Sequence, residues 1–158
     1  MENKNRIFLG GTWAKTTWRT EFISNLIGVS YFNPVVEDWT AECQAIEMEE
    51  KEKHCNVHFY CITKEMIGVF SIAEVIDSVH TKGKITILQV IPDGFSTAQL
   101  KSLKAVVDLV VLRGGIAFID NNLLKSACAI NFAFSDCEHI PNEFSTWVRL
   151  SILEQLKK

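Results

Sequence analysis

The sequence lacks the features of a membrane protein or of a protein that binds a nucleic-acid backbone. Its longest apolar runs, such as residues 105–112, are too short to cross a bilayer, and Asp108 interrupts that one. The formal net charge of −3 provides no basic excess for the phosphates of a nucleic-acid polymer. Residues 1–6 lead directly into a short apolar segment, so no secretory signal is expected. These absences predict a cytoplasmic protein with no membrane partner and no nucleic-acid partner.

Metal-ligand and disulfide patterns are also missing. The five cysteines include no C-x-x-C pair, and an odd number argues against a complete disulfide framework. The four histidines do not have the spacing of a metal site. Cys43 and Cys61 are interpreted as small core residues. We therefore predict a reducing compartment, no metal ion and no cofactor.

The composition that is present is that of one globular domain. Of the 158 residues, 47% are hydrophobic and 22% are charged, as in ordinary soluble proteins. A chain of this length buries roughly 70% of its unfolded surface when it folds. No internal repeat, low-complexity tract or linker interrupts the sequence, so we predict a single domain over residues 1–158.

Strand-like and helix-like segments alternate along the chain. The strand-like runs are apolar on both faces, which is typical of a parallel sheet covered by helices, and the alternation predicts successive βαβ units. Pro34 is expected to make the end of the second strand irregular. The last helix is expected to pack on the sheet, or alternatively to contact another subunit. The predicted strands are residues 6–9, 29–36, 57–62, 85–91 and 116–119, and the predicted helices are residues 17–27, 39–54, 70–79, 96–112, 123–134 and 142–158.

Two glycines follow the first predicted strand. In the segment from Gly10 to Trp13, they would let a ligand approach the backbone, and the next helix begins near Thr17, so that its free N–H groups face an anion. The alternative is a tight turn with Thr17 as a helix cap. The segment is neither a dinucleotide fingerprint nor a Walker loop.

Asn33 and Asp38 bracket the end of the second predicted strand. If the first two strands are neighbours, both side chains lie beside the glycine turn. Asp38 then either caps the helix that begins at Trp39 or holds a hydroxyl group of a ligand.

The helix after Asp38 carries two candidate acids. On a helical wheel drawn from Trp39, Glu50 falls within the apolar stripe of Cys43 and Ile46, and Glu47 lies at its edge. A carboxylate on an apolar stripe needs a partner or a ligand. The alternative is that Glu50 reaches solvent at the end of the helix.

The third candidate acid is Glu74, which follows the third predicted strand. Gly68 lies in the connecting loop, and Ser71 and Glu74 share one side of the next helix. In the first turn of that helix, the negative charge of Glu74 would be stabilised by the helix N-terminus, as a nucleophile for a cationic sugar centre requires. The alternatives are an acceptor for a ribose hydroxyl and an ordinary helix-start acid.

Four segments taken together resemble the nucleoside 2-deoxyribosyltransferase family, in its divergent deoxyribosyltransferase-like branch. The likeness covers roughly residues 6–119, and its segments occur in order after the first three predicted strands. They are Ile7-Phe-Leu-Gly-Gly-Thr12, Trp18-Arg19, Phe32-Asn-Pro34 and Gly68-x-x-Ser71-x-x-Glu74.

The resemblance implies a three-layer α/β fold, flavodoxin-like and Rossmann-like, with a five-stranded parallel sheet flanked by helices. It also implies a homodimer or larger homo-oligomer that shares residues across active sites. Members of the family cleave the N-glycosidic bond of 2′-deoxynucleosides or their monophosphates. A glutamate attacks the anomeric carbon, and another base or water then resolves the glycosyl-enzyme.

Carried onto this sequence, the resemblance implies that Glu74 is the nucleophile. The proton donor does not follow the family pattern, because a strict count from Asn56 at the start of the third strand reaches Met48. Glu47 is adjacent, and we favour it over Glu50. The acidic residue often found shortly before the nucleophile is replaced by Ile67 and Gly68. The predicted catalytic residues are Glu74, Glu47 and Asp38, and the predicted substrate-binding residues are Gly10, Gly11, Thr12, Trp13, Asn33, Gly68 and Ser71.

We therefore predict an enzyme that binds a small nucleoside or nucleotide and cleaves its N-glycosidic bond, or transfers deoxyribose between nucleobases. Alternative hypotheses are a binding module without catalysis and a glycosidase acting on ribonucleotides, or on compounds of the NAD or ADP-ribose type. A further alternative is an interaction protein that uses the helix containing Trp147.

Overall fold

A five-stranded parallel sheet forms the centre of the computed structural model, which describes residues 6–13, 15–134, 150–152 and 154. All neighbouring strands pair in parallel, as the apolar runs predicted. Their spatial order is β2-β1-β3-β4-β5, which is the order of a flavodoxin-like sheet. The strands are β1 (Arg6–Gly11), β2 (Ser30–Phe32), β3 (Val57–Ile62), β4 (Ile85–Val90) and β5 (Ile116–Ile119).

Helices cover both faces of this sheet. Helices α1 and α5 contact each other on one face, and α3 and α4 pack together on the other. The three-layer flavodoxin-like fold predicted from the sequence is thereby confirmed. The helices are α1 (Trp18–Ser24), α2 (Ala41–Glu49), α3 (Phe70–His80), α4 (Thr97–Leu112) and α5 (Leu123–Phe134), and a π-helical turn (Glu50–His54) follows α2 directly.

The core divides into two clusters because successive strand residues point to opposite faces. On the α1 and α5 side, Phe22 stacks on Phe59 with ring centroids 4.2 Å apart. On the α3 and α4 side, Phe8 and Tyr60 of adjacent strands pack beneath Val75. Every residue of β3 and β4 is buried, which explains their continuous apolar sequences.

Two elements differ clearly from the sequence-based prediction, and a third is largely untested. β2 has three residues rather than eight, because Pro34 has no N–H for the sheet and ends the strand early. The helix predicted over residues 39–54 begins at Ala41, with the Thr40 hydroxyl accepting from Cys43 N, and its last turn is π-helical. The helix predicted over residues 142–158 lies largely outside the described residues, of which 150–152 and 154 are helical.

Helix α2 lies outside both hydrophobic core clusters of the described fold. None of its residues is buried, and the predicted apolar stripe remains exposed at Trp39 (56%) and Ile46 (48%). Cys43 is half buried rather than a core residue, whereas Cys61 is fully buried. The position of α2 therefore depends on contacts other than hydrophobic burial.

None of the described helices is long and apolar enough to span a membrane.

Gly11→Ala is expected to destabilise the fold far more than Gly28→Ala. Both glycines have positive φ, +111° and +68°, which costs an alanine about 1 kcal/mol. A Cβ at Gly11 would also overlap the Cys61 carbonyl, whereas one at Gly28 meets no atom within 4 Å. Overlap in a packed site adds about 1–3 kcal/mol. Urea denaturation of both variants measures the difference, and equal losses would contradict the close approach of β1 to β3.

Candidate active site

Gly10 and Gly11 are the last two residues of β1, not residues of a turn after it as the sequence predicted. With Thr12 and Trp13 they form the segment called the glycine turn below, which lies where the strand order reverses, at the carboxyl ends of β1 and β3. Open α/β sheets bind ligands in the crevice at such a point. Gly11 pairs with Cys61, and a Cβ at Gly10 would overlap the ring of Tyr60. Close packing between the two strands therefore requires both glycines, and their backbone forms the floor of the crevice.

The buried side chain of Arg19 in α1 holds this turn in place. Its guanidinium donates to the Thr12 carbonyl at 2.6 Å and to the Leu9 carbonyl at 3.2 and 3.3 Å. The Trp18 indole also donates to the Thr12 carbonyl, at 2.9 Å. Thr12 Oγ1 accepts from the amide of Thr63 at 2.9 Å. Burial lowers the pKa of Arg19 to about 10, so the guanidinium remains cationic at neutral pH. The turn is thus rigidly supported before any ligand binds.

Glu74 lies in the second turn of α3, not in the first. The helix begins at Phe70, and no acidic residue occupies its first turn. The predicted stabilisation of Glu74 by the helix N-terminus is therefore wrong, because that effect fades within one turn. Ser71, which is in the first turn, donates from Oγ to the Gly11 carbonyl at 3.2 Å and so joins α3 to the glycine turn.

Lys51 provides the positive charge that Glu74 lacks from its own helix. Lys51 Nζ lies 3.0 Å from Glu74 Oε1, and the two side chains are only 13% and 12% exposed. The π-helical turn that contains Lys51 therefore contacts the middle of α3 through an ion pair. This pair places a positive charge directly against one carboxyl oxygen of Glu74.

Glu47 is the second carboxyl group of the site. Its pKa is raised to about 7, first by burial and then by the negative charge of Glu74, to which the Glu47 carboxyl also hydrogen-bonds. The positive charges of Lys51 and Arg19 oppose this rise. Two neighbouring carboxyl groups whose environments differ in this way are typical of an acid and a nucleophile that act together.

Glu50 lies at the other end of the sheet. Its Oε2 pairs with Arg6 Nη2 at 3.0 Å, where β1 begins. The carboxylate of Glu50 therefore has the charged partner that its position on the apolar stripe called for, rather than reaching solvent. It lies far from the carboxyl ends of the strands. Of the two acids that the sequence proposed beside Glu74, the structure brings Glu47 to it.

Two cavities meet at this pair of carboxyl groups. The strand-end cavity, of about 280 Å³, opens above the glycine turn, and the interhelical cavity, of about 610 Å³, separates α2 and the π-helical turn from α3. Both are of the size and mixed apolar character of small-molecule sites. Four residues line both cavities: Trp39, Glu47, Phe70 and Glu74.

Six of the predicted site residues line the strand-end cavity: Gly10, Gly11, Trp13, Glu47, Ser71 and Glu74. The other four do not. Thr12 is 2% exposed beneath the turn. Asn33 Oδ1 accepts from the amide of Val35, Asp38 is exposed before the Thr40 cap, and Gly68 lies in an exposed loop. The roles of all ten residues stay predictions.

Sequence reasoning assigned no role to several residues that surround Glu74. Lys51 was not singled out, although its position one turn after Glu47 was a usable signal. His58 is a polar residue within an otherwise apolar strand, and burial lowers its pKa to about 4. Tyr60, also buried in β3, is kept neutral because burial and the charge of Glu74 raise its pKa.

Within the described residues, no group of three or more His, Cys, Asp or Glu side chains converges as metal ligands.

Glu47→Gln is expected to stabilise the protein at pH 8 and not at pH 4. The pKa of Glu47 in the folded state is about 7, above the value of 4.5 for an unperturbed side chain, so the folded protein binds this proton more tightly. Folded-state stability is then lost as the pH rises between these two values, and glutamine removes that loss. Because Glu47 is partly exposed, solvent screening limits the gain to about 1 kcal/mol.

Urea denaturation at both pH values tests this expectation. Glu42→Gln, on an exposed position of the same helix, is the matched control and should behave like the wild type at both values. A Glu47→Gln variant with the same pH dependence as the wild type would show that Glu47 titrates normally.

Comparison with known proteins agrees with this geometry. A family model described as "Nucleoside 2-deoxyribosyltransferase like" matches residues 4–91, more than half of the chain. The matched segment includes the glycine turn, Glu47 and Glu74. No curated protein and no solved structure matches the chain. The chain belongs to the nucleoside 2-deoxyribosyltransferase-like family.

Proposed function

We propose that this protein is an enzyme that cleaves the N-glycosidic bond of a nucleoside or nucleotide through a glycosyl ester on Glu74. The observation that carries the proposal is the pair of carboxyl groups in the strand-end cavity. One, Glu74, is paired with Lys51, and the other, Glu47, has a pKa near neutrality. A glycosidic bond that breaks through a cationic sugar needs one carboxylate and one acid.

Aromatic side chains provide the surfaces for a nucleobase. Trp13, Trp39 and Phe70 line the strand-end cavity and are 60%, 56% and 69% exposed. Flat aromatic faces stack on bases with little dependence on sequence, typically contributing about 1–3 kcal/mol per base. A base held among these rings leaves the sugar at the floor of the cavity, beside the glycine turn and Glu74.

The first half of the reaction forms the glycosyl ester. A Glu74 oxygen attacks C1′ of the sugar as the bond between C1′ and the base nitrogen breaks. The electron pair of that bond leaves with the base, and the Glu47 carboxyl group donates its proton to the base. The negative charge of Glu74 stabilises the cationic sugar in the transition state. The step ends with a neutral base and with Glu47 ionised.

The second half reverses these roles. A second base, or water, attacks C1′ while Glu47 accepts the proton of the attacking group. The bond between C1′ and Glu74 breaks, and its electron pair returns to the carboxylate. With a base as acceptor the product is a new nucleoside, and with water it is the free sugar. Both outcomes restore the starting protonation of the pair, so either is compatible with the same residues.

The proposal includes a cytoplasmic setting and a homo-oligomer. Exposed apolar side chains on and near α2 support the oligomer, because they surround the site and no described residue of the chain buries them. Among these side chains, the most exposed belong to Trp39, Ile46, Met48 and Phe70.

Glu74→Gln is expected to lower the rate of glycosyl transfer by a factor of about 10³ or more, because the amide cannot form the ester. Purified protein is incubated with 2′-deoxynucleosides, their monophosphates and free bases, and exchanged or hydrolysed products are separated by chromatography. Asp108→Asn, an exposed carboxylate on α4, serves as the matched control and should retain full activity. Undiminished activity of Glu74→Gln would remove the nucleophile. Ligand-induced thermal stabilisation without turnover in the wild type would favour a binding module.

Glu47→Gln is expected to lower activity by about 10² to 10⁴, the usual contribution of a general acid. The loss should depend on the leaving base. A purine nucleoside already methylated at N7 is cationic and leaves as a neutral base without a proton, so the variant should cleave it nearly as fast as the wild type does. Equal losses on the cationic and the ordinary substrate would contradict proton donation by Glu47.

A further inference from the structure

Glu47 and Glu74 are chemically alike, so their own chemistry does not determine which of them carries a proton. Both belong to glutamate, both are partly buried, and they lie within hydrogen-bonding reach of each other. Two such groups share one proton near neutral pH, because both cannot ionise cheaply. The proposed reaction needs that proton on one of them before the substrate reacts. A feature outside the pair must therefore decide where the proton lies.

Lys51 is in a position to determine which carboxyl group carries the proton. Its ammonium group contacts Glu74 Oε1 at 3.0 Å, and of the residues that the structure describes, it is the cation that pairs with Glu74. The same ammonium lies over the rings of Phe8, at 5.4 Å, and Tyr60, at 5.8 Å, so the faces of two buried rings limit its movement. Its charge also reaches Glu47, but there the negative charge of Glu74 has the larger effect.

The backbone of Lys51 is fixed by an unusual turn. Lys51 is the second residue of the π-helical turn, in which Cys55 N donates to the Glu50 carbonyl at 2.8 Å. π-helical turns are rare and often mark functional sites. The carbonyl of Lys51 itself accepts from His58 Nε2 at 2.9 Å. The turn is therefore tied to the central strand β3 at the residue whose side chain meets Glu74.

The hydrogen bonds that link Lys51, His58, Ser78 and Thr86 have a defined donor and acceptor at each step. The carbonyl of Lys51 can only accept, so Nε2 carries the proton of the imidazole, which stays neutral at physiological pH because burial lowers its pKa to about 4. His58 Nδ1 must then accept from Ser78 Oγ, at 2.6 Å. Ser78 Oγ in turn accepts from Thr86 Oγ1, at 2.9 Å. This chain joins β4, α3 and β3 to the backbone of Lys51.

We propose that Lys51 is a positioning residue that keeps Glu74 ionised and thereby assigns the shared proton to Glu47. The inference rests on the proposed function for its catalytic meaning, whereas the proton assignment itself is a property of the free protein. Other charged or titratable groups face the pair without contacting it directly as a counter-ion. They are Arg19 from α1, Glu52 from the π-helical turn, His58 and Tyr60 from β3, Asp77 from α3, and Lys82 and Lys84 from the loop ahead of β4.

Lys51→Met tests the assignment, because methionine keeps most of the length of the side chain and removes its charge. Protein labelled with ¹³C at the glutamate carboxyl carbons is titrated by NMR, and the two signals are assigned with Glu47→Gln and Glu74→Gln. The proton should lie on Glu47 at pH 6 in the wild type. In Lys51→Met the protonated fraction of Glu74 at pH 6 should rise about tenfold, because loss of an opposite charge at this distance is worth about one pH unit.

The pH profile of kcat provides a second measurement. The acid limb, which reports ionisation of the nucleophile, should move to higher pH by about one unit in Lys51→Met, and Lys51→Arg should restore it. Lys53→Met, an exposed lysine of the same turn that pairs with Glu49, should leave the profile unchanged. A residue with only a structural role would lower stability without moving the limb.

The two readouts separate this inference from the proposed function. An unchanged carboxyl titration in Lys51→Met overturns the inference, whether or not the protein transfers deoxyribose. The expected titration in a protein without glycosyl activity supports the assignment and contradicts the proposed function instead. Where Lys51→Met shifts the titration and Lys51→Arg reverses the shift, charge rather than packing is responsible.

Discussion

The ion pair between Lys51 and Glu74 is the interaction on which the arrangement of the candidate site depends. α2 carries Glu47, yet it buries none of its residues, so hydrophobic packing does not hold it beside α3. Polar contacts of the π-helical turn do this instead. Lys51 binds Glu74, Glu50 binds Arg6, and the Lys84 ammonium donates to the carbonyls of Glu52 and Cys55 at 2.6 and 2.7 Å.

Different interactions therefore hold the two sides of the site, which are the glycine turn on one side and α2 with the π-helical turn on the other. The glycine turn is fixed by close strand packing and by the buried Arg19, which saturates its carbonyl groups. The opposite wall is held by charges and by the hydrogen bond of His58. The first wall changes little with pH. The second brings a proton-carrying Glu47 to Glu74, and its geometry is coupled to the ionisation of the same groups that would carry out the chemistry.

Much of this fold was readable from the sequence. The runs at Val57–Ile62 and Ile116–Ile119 match the observed strands residue for residue, because buried parallel strands need continuous apolar sequences. The helix predicted over residues 96–112 matches α4 to within one residue, and the Ser96 side chain before it forms a capping box with Gln99. The start of α2, its π-helical turn and the short β2 were not predicted, since helix ends and strand ends depend on hydrogen bonds to other parts of the chain.

In the candidate site too, some features were predictable from the sequence and others were not. Local sequence placed Gly10 and Gly11 at the end of a strand region and Glu74 after another strand, and parallel strands bring their carboxyl ends to one edge. Only the structure shows that the two glycines are themselves the last residues of β1, paired with β3. The resemblance favoured Glu47 over Glu50, but only the tertiary structure brought Glu47 to Glu74 and placed Lys51 between the helices. The physical reason is that a carboxylate acquires its pKa and its partner from burial and from charges distant in the chain. The sequence lists the ionisable groups, but only folding sets the distances between them.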